Sequence, residues 1–469
     1  MILTEVVRLT RPAIGRRTLS IGLALLAGVA SGLAASASAS LIPISVTWLI
    51  VLAVIGAAAI RPDIAFLKLI AVAFLLPFAV VPIRLGVQPP IFELGLAIVL
   101  ASVLARNRLR PLSLPKLSPA DPRLWVGGLL VAGLVATTVS LARSWDVEQL
   151  QYAAKLSLGV GAFYLAARCS RRRGFARKLM LAMAIAGAIQ ALLATAIYLK
   201  PEWSQAVFSW LESIGYPPAE SATRYLPDRE TVRAVGTAVD PNVLGVTLAV
   251  ALVAAASLAL TSAGSRAVFL WLIVLAIVPG LVFCVSRGAW LAAGAGAFVL
   301  IWHRRPAVAW LLLAGSAAVL VSPLRIGGLE HLRSGFLARD AAAALRLEEL
   351  RHLPQVLGSS PMFGVGFLTE PVARFSLDIS NAVLWIAERT GILGSTFYLA
   401  GVVSILAASL RRIRARPEAV GVLAAFTAAT VAGLVDHHIV SMPHLVAVYW
   451  LLGGTLAGIC ASEPLPSRA

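Results

Sequence analysis

Charge is what this 469-residue sequence has least of. Only 13% of its residues are Asp, Glu, Lys or Arg, while 59% are hydrophobic and the mean hydropathy is +0.87. Soluble domains carry roughly 25% charged residues, so a water-solvated globule of this length is excluded. Acidic residues are the scarcest, 22 against 40 Lys and Arg, which leaves a formal net charge of +18. Cysteine is nearly missing as well. Cys169, Cys284 and Cys460 lie far apart with no ligand-type spacing, which excludes a disulfide framework and a cysteine-based zinc site. Internal repeats and low-complexity linkers are also lacking, so neither a solenoid nor a string of tethered domains is indicated.

What is present is a succession of apolar runs, near 19–36, 41–60, 64–83, 91–105, 124–142, 153–168, 178–199, 242–261, 267–285, 288–302, 306–322, 381–408, 419–435 and 443–460. Each approaches the ~20 residues needed to cross a bilayer as a helix. The pattern predicts an all-α, polytopic transmembrane helical bundle of about 12–14 spans, one membrane domain over residues 1–469. The positive charge does not signal nucleic acid. It falls in short clusters between apolar runs, as in the cytoplasmic loops of membrane proteins. Counting spans puts Arg106–Arg110, Arg168–Lys178, His303–Arg305 and Arg411–Arg416 on one side. That side is expected to be cytoplasmic, with both termini on it. Arg8, Arg11, Arg16 and Arg17 resemble a signal-peptide n-region, but further spans follow at once, so a retained first helix is expected.

Two long loops then face outward, 200–240 and 323–379. The second carries a helix-compatible stretch from Asp340 to Leu353, expected to end at Pro354, and then a turn-rich segment through Gly364 and Gly366. Long ordered loops on a membrane scaffold are where function usually sits.

Charges at membrane depth are costly enough to mark function. Arg287, between Ser286 and Gly288, falls at a tight hairpin near the outer surface with no acidic neighbour in sequence; the plainer alternative is an arginine snorkelling to headgroups. Asp240 and Pro241 read as helix-start residues. That leaves Arg233 and Asn242 unexplained, and a helix N-terminus also suits an anion. Arg333, Arg339, Arg346, Arg351 and His352 lie near Asp340, Glu348 and Glu349. Arg346–Glu349 and Glu348–His352 stand at helical contact spacing, so local ion pairs compete with anion binding. Excess arginine suits a diphosphate, whose oxygens match the guanidinium fork. In Asp436-His437-His438 and on to His444, neighbouring histidines cannot face one ligand from a helix, so a polar cap or acid–base contact is favoured over a metal. Most charges fall at span ends; Lys68 and Glu93 are exceptions, placed where a transporter would need ionisable residues.

Four of these segments, taken in order over roughly residues 120–460, resemble the O-antigen ligase and polymerase-like membrane glycosyltransferases of bacterial surface polysaccharide assembly. They are Arg233 with Gly236-Thr237 and Asp240-Pro241-Asn242; Ser286-Arg287-Gly288; Arg346 followed by Pro361 and Gly364-Val-Gly366; and Asn381 through Glu388, Gly391 and Gly394. The resemblance implies a polyprenyl-diphosphate-linked glycan as donor, a glycan or lipid-linked acceptor hydroxyl, and neither metal nor cofactor. It places the protein in a bacterial inner membrane with the chemistry at the periplasmic face. Arg287, Arg346 and Arg233 would hold the diphosphate, and His352, Glu348, Glu388, His437 or His438 would serve as base. Asp240, Asn242, Arg351 and Asn381 would line the substrate site. One position departs from the pattern: Ser380 stands where the ligases place the histidine before asparagine, which favours a polymerase or a divergent relative. A lipid-linked oligosaccharide flippase or another transporter is the alternative class, expected to show related halves and short loops.

Overall fold

The computed structural model describes residues 61–81, 88–107, 118–226 (apart from 144 and 173), 232–322, 341–367, 379–413 and 418–461, with isolated positions between 50 and 57 and between 330 and 334. Twelve helices in these segments coincide with apolar runs: α1 (Pro62–Leu75), α2 (Ile91–Asn107), α3 (Pro122–Leu141), α4 (Val147–Cys169), α5 (Phe175–Leu199), α8 (Pro241–Leu260), α9 (Gly264–Phe283), α10 (Arg287–Arg304), α11 (Pro306–Val321), α13 (Ala382–Arg412), α14 (Glu418–Val435) and α16 (Pro443–Ala461). Between them lie α6 (Glu202–Glu212), α7 (Ala219–Ala222), a two-residue hairpin of β1 (Arg224–Tyr225) and β2 (Val232–Arg233), α12 (Ala341–Ser359) and α15 (His438–Ser441). The first two apolar runs lie largely outside the described residues.

The expected count of 12–14 spans is matched in part among the described residues. Seven of the described helices, α3, α5, α8, α9, α13, α14 and α16, are long and apolar enough to cross a membrane. The others fall short because they are brief or carry charge: α1 has 14 residues, and α4 holds Glu148, Lys155 and Arg168. The molecule is a nearly all-α, multi-pass membrane protein.

Helix starts are set by short polar side chains. Asp121, Asp146, Asp240 and Asn381 each accept from the backbone N–H two residues on, at 3.0, 2.9, 2.7 and 2.8 Å. Such caps are worth about 1 kcal/mol apiece. One expected boundary moved. Helix α12 does not stop at Pro354 but runs on to Ser359, with the proline inside it. Pro354 removes one N–H from the ladder, and the chain leaves the helix only at the turn before Pro361.

Hydrogen bonds between helix ends sort the bundle into two ends. At one, Arg172 pairs with Asp63 at 3.0 Å, Arg304 donates to the Leu260 carbonyl at 2.6 Å, and Arg412 donates to the Cys460 carbonyl. The described parts of all four basic clusters lie at this basic end. At the other, Thr237 donates to Leu75, Ser140 to Val365 and Asn381 to Leu434. Both long loops return to this second, loop end. The interior of the bundle is α16, packed on α4, α13 and α14, and α8, packed on α5, α9, α10 and α14. Helices α9 and α11 instead turn Leu272, Leu275, Trp310 and Leu311 outward, an apolar face suited to lipid.

Candidate functional site

The loop end is built from three separate stretches of chain. The first is β2. Arg233 Nε donates to the Cys284 carbonyl at 2.9 Å and Nη2 to Asn242 Oδ1 at 2.8 Å, while Ala234 N donates to Phe283 O at 2.9 Å. These bonds tie the strand to the turn between α9 and α10, where Arg287 opens α10. Asp240 is spent on its cap, accepting from Asn242 N and Val243 N. Thr237 donates to the Leu75 carbonyl at 2.7 Å, and the Gln190 amide is satisfied only when oriented to donate back to the threonine oxygen at 3.0 Å. Two valines here have positive φ, Val239 (60°) and Val285 (46°), each directly before a capping residue. A β-branched residue in that region is strained by of order 1–3 kcal/mol, and such strain gathers at functional sites.

The second stretch is the break between α14 and α15. Asp436 Oδ1 lies 2.9 Å from His438 Nδ1 and 3.5 Å from His437 Nδ1. Adjacent histidines cannot share a partner from within a helix, and sequence reasoning placed them apart on that ground. They meet here because Asp436 and His437 stand between two helices rather than in one. Burial works against the Asp436 charge, but His438, His437 and Arg346 outweigh it and hold the carboxyl below its ordinary range. For Arg233 burial prevails: it pulls the guanidinium below its ordinary value against Asp240 and Asp436, with Arg287 adding repulsion. Arg233, Arg287 and Arg346, from three loops, therefore act on one another or on the same aspartate.

The third stretch is α12 and the turn after it. Ser380, at the position where histidine was expected, donates through both N and Oγ to the Glu349 carboxylate, each at 2.9 Å. Glu349 thus fastens α12 to the start of α13 in addition to any pairing along its own helix. Beyond α12, Val365 N and Gly366 N donate to the carbonyls of Glu388 and Arg389 at 2.9 and 3.0 Å, and Ile392 N donates back to Pro361 O at 2.9 Å. Helix α13 is interrupted at Gly391, φ 67°, to receive this turn. A Cβ on Gly364 would strike the Glu388 carbonyl, and one on Gly391 would strike Met362. Two glycines with positive φ therefore interlock, as only glycine allows.

Below the Asp436 turn is a chamber of about 810 Å³. His437 lines it, its ring parallel to Trp385 within 14° at 6.4 Å. Arg389, 5.5 Å over the Trp385 ring and 3.4 Å from Glu388, lines it too, as do Glu93, Gln151, Tyr152 and Lys155. Sequence reasoning missed Arg389, Gln151 and Lys155. The signal was available for Lys155, a cation within an apolar run, and for Arg389, which sits beside the chosen Glu388.

The other expected residues scatter. Asn381 caps α13 and donates to Leu434 O at 2.8 Å. Glu348 and Arg351 face outward on α12, Glu388 is buried beside Arg389, and Lys68 is exposed on α1. The His352 side chain, Arg339 and Asp340 lie outside the described residues. Arg333 donates to carbonyls at the end of α11. Glu93 sits in the first turn of α2 rather than at mid-span. Among the described residues no group of three or more His, Cys, Asp or Glu is placed to hold a metal. Set against protein-family models and curated proteins, the chain matches none.

Proposed function

We propose that the protein is a membrane glycosyltransferase that moves a polyprenyl-diphosphate-linked glycan onto an acceptor hydroxyl, as a polymerase or ligase of surface polysaccharide. The observation that carries this reading is electrostatic: the buried Arg233 is acted on by Arg287 and Asp436, and Asp436 in turn by Arg346, so arginines from three separate segments bear on one region. A diphosphate leaving group carries about two negative charges, and fixed guanidinium groups at a buried site stabilise the charge that builds on it. His437, beside Asp436 and facing the chamber, is the base. It takes the proton of the acceptor hydroxyl as that oxygen bonds to the anomeric carbon, and the bond from that carbon to the phosphate oxygen breaks with its electron pair going to the diphosphate. General-base help of this kind contributes roughly 10²–10⁴-fold.

On this reading the loop end faces the periplasm, the basic end the cytoplasm of a bacterial inner membrane, and both termini are cytoplasmic. Purified protein given a polyprenyl-diphosphate glycan should release free polyprenyl diphosphate only when an acceptor is present. Movement of intact donor across vesicles without any release would favour a flippase instead. For topology, an outside-only thiol reagent should modify a cysteine placed at Tyr225 and spare one at Arg172; the reverse pattern would overturn the orientation.

A further inference from the structure

We propose that the chamber between α2, α4 and α13 is a sugar-binding site in which Glu93 accepts a hydrogen bond from a glycan hydroxyl. The inference rests on the glycosyltransferase reading and adds the part of the substrate that the arginines do not touch. Glu93 is the chamber's carboxylate, and its Oε1 is buried with no hydrogen-bond partner among the described residues. A buried acceptor without a donor weakens the fold unless a ligand supplies the donor. Lys155 faces the same space with its ammonium 4.4 Å from the Tyr152 ring centroid, and no ion pair joins it to Glu93 among the described residues. Lys155 bears on the Glu93 charge without donating a hydrogen bond to it among the described residues, so the Glu93 oxygen is left for an occupant.

The walls say what kind of occupant. Tyr152 and Trp385 lie 6.2 Å apart at 51° to each other, both backed by Phe367, and Phe78 and Phe92 also line the chamber. These aromatic side chains give the chamber an apolar wall suited to the C–H side of a pyranose, while Glu93, Gln151, Lys155 and Arg389 supply polar groups for its hydroxyls. A volume of about 810 Å³ lies within the roughly 300–1,000 Å³ of pockets that enclose small ligands. His437 lines the same chamber, so a sugar held by Glu93 lies next to the base.

The test compares two probes by native mass spectrometry of the full-length protein: bare undecaprenyl diphosphate, and the undecaprenyl-diphosphate glycans extracted from the cells that make the protein. Wild type should hold the glycan-bearing lipid roughly tenfold or more tightly than the bare one, as one charge-assisted hydrogen bond implies. Glu93→Leu should lose that preference, keep its affinity for the bare lipid, and unfold at an equal or higher temperature without ligand. A merely structural Glu93 would instead give a lower unfolding temperature and an unchanged preference, and that result overturns the proposal. Should Glu93→Leu fail to insert, Glu93→Gln and Lys155→Met carry the same comparison, and wild-type preference in both overturns it. Wild type that binds neither lipid sinks the glycosyltransferase reading and this inference together. Wild type that binds the bare lipid and shows no preference sinks this inference alone.

Discussion

The two ends of the bundle are both rich in arginine, yet they use it differently. At the basic end Arg304 and Arg412 cap helix carbonyls, and Arg172 meets Asp63 with its side chain 63% exposed. Each of these charges has water within reach and a local task. At the loop end Arg233 is deep enough for burial to dominate its ionisation, it is fixed by two hydrogen bonds, and it feels Arg287 and Asp436 at once. Position in the chain does not separate the two groups, since each sits between apolar runs. What separates them is burial and coupling: Arg233 also donates to a helix-end carbonyl, that of Cys284, but it is buried and feels charges from other segments of the chain.

The largest effect expected from this difference is on transfer. Arg287→Ala and Arg233→Ala should each lower the rate of polyprenyl diphosphate release on the order of a hundredfold or more. Arg287→Lys should recover only part, because a point charge does not reproduce the planar fork. Arg172→Ala should leave the rate nearly unchanged. Equal losses at both ends would erase the distinction. Next in size is the interlock. Gly364→Ala or Gly391→Ala forces a side chain into positive φ against a neighbouring backbone, at a cost of about 1–3 kcal/mol or more. Limited proteolysis should then cut sooner between 361 and 367.

A smaller loss, about 1 kcal/mol, is expected for the cap mutant Asp240→Ala in thermal unfolding. Asp436→Asn sharpens the comparison through pH. The folded carboxyl titrates below its unfolded value. Its stabilisation is therefore present above the ordinary carboxylate pKa of about 4 and is lost as the pH falls through the depressed value. The gap in unfolding temperature between wild type and Asp436→Asn should persist at pH 5 and close only well below pH 4. The smallest effect is again Arg172→Ala, whose exposed pair is worth about 0–1 kcal/mol in unfolding.

The bundle itself was legible in the sequence because spanning helices announce themselves locally. The run read at 242–261 became a helix at 241–260, and Asp240 and Pro241 marked its start as helix-start residues do. The site was legible only in pieces. Arg233, Arg287 and Arg346 stand out as isolated charges, but nothing local says that they bear on one region. The chamber was hidden because its walls come from α2, α4, α13 and the α14–α15 turn, with each residue unremarkable on its own helix. His437 and His438 were misjudged by assuming helical geometry across a position where the chain breaks. Ser380 was noticed as a substitution, but its bond to Glu349, 31 residues earlier, could be found only in three dimensions.

Helix α16 carries a consequence for how the molecule is made. Nearly every residue from Pro443 to Ala461 is enclosed by α4, α13 and α14, so this span is solvated by protein rather than by lipid. In a membrane, association of helices depends on close packing, and Gly454 and Gly458 bring α16 against the backbone of α4. Spans inserted in order during synthesis would hold this slot open until α16 arrives, like an arch awaiting its keystone. Assembly intermediates lacking it would expose the inner faces of three helices to lipid and to membrane proteases. Small-to-large changes at Gly454 should therefore be seen first as reduced abundance in the cell, before any effect on turnover of the surviving protein.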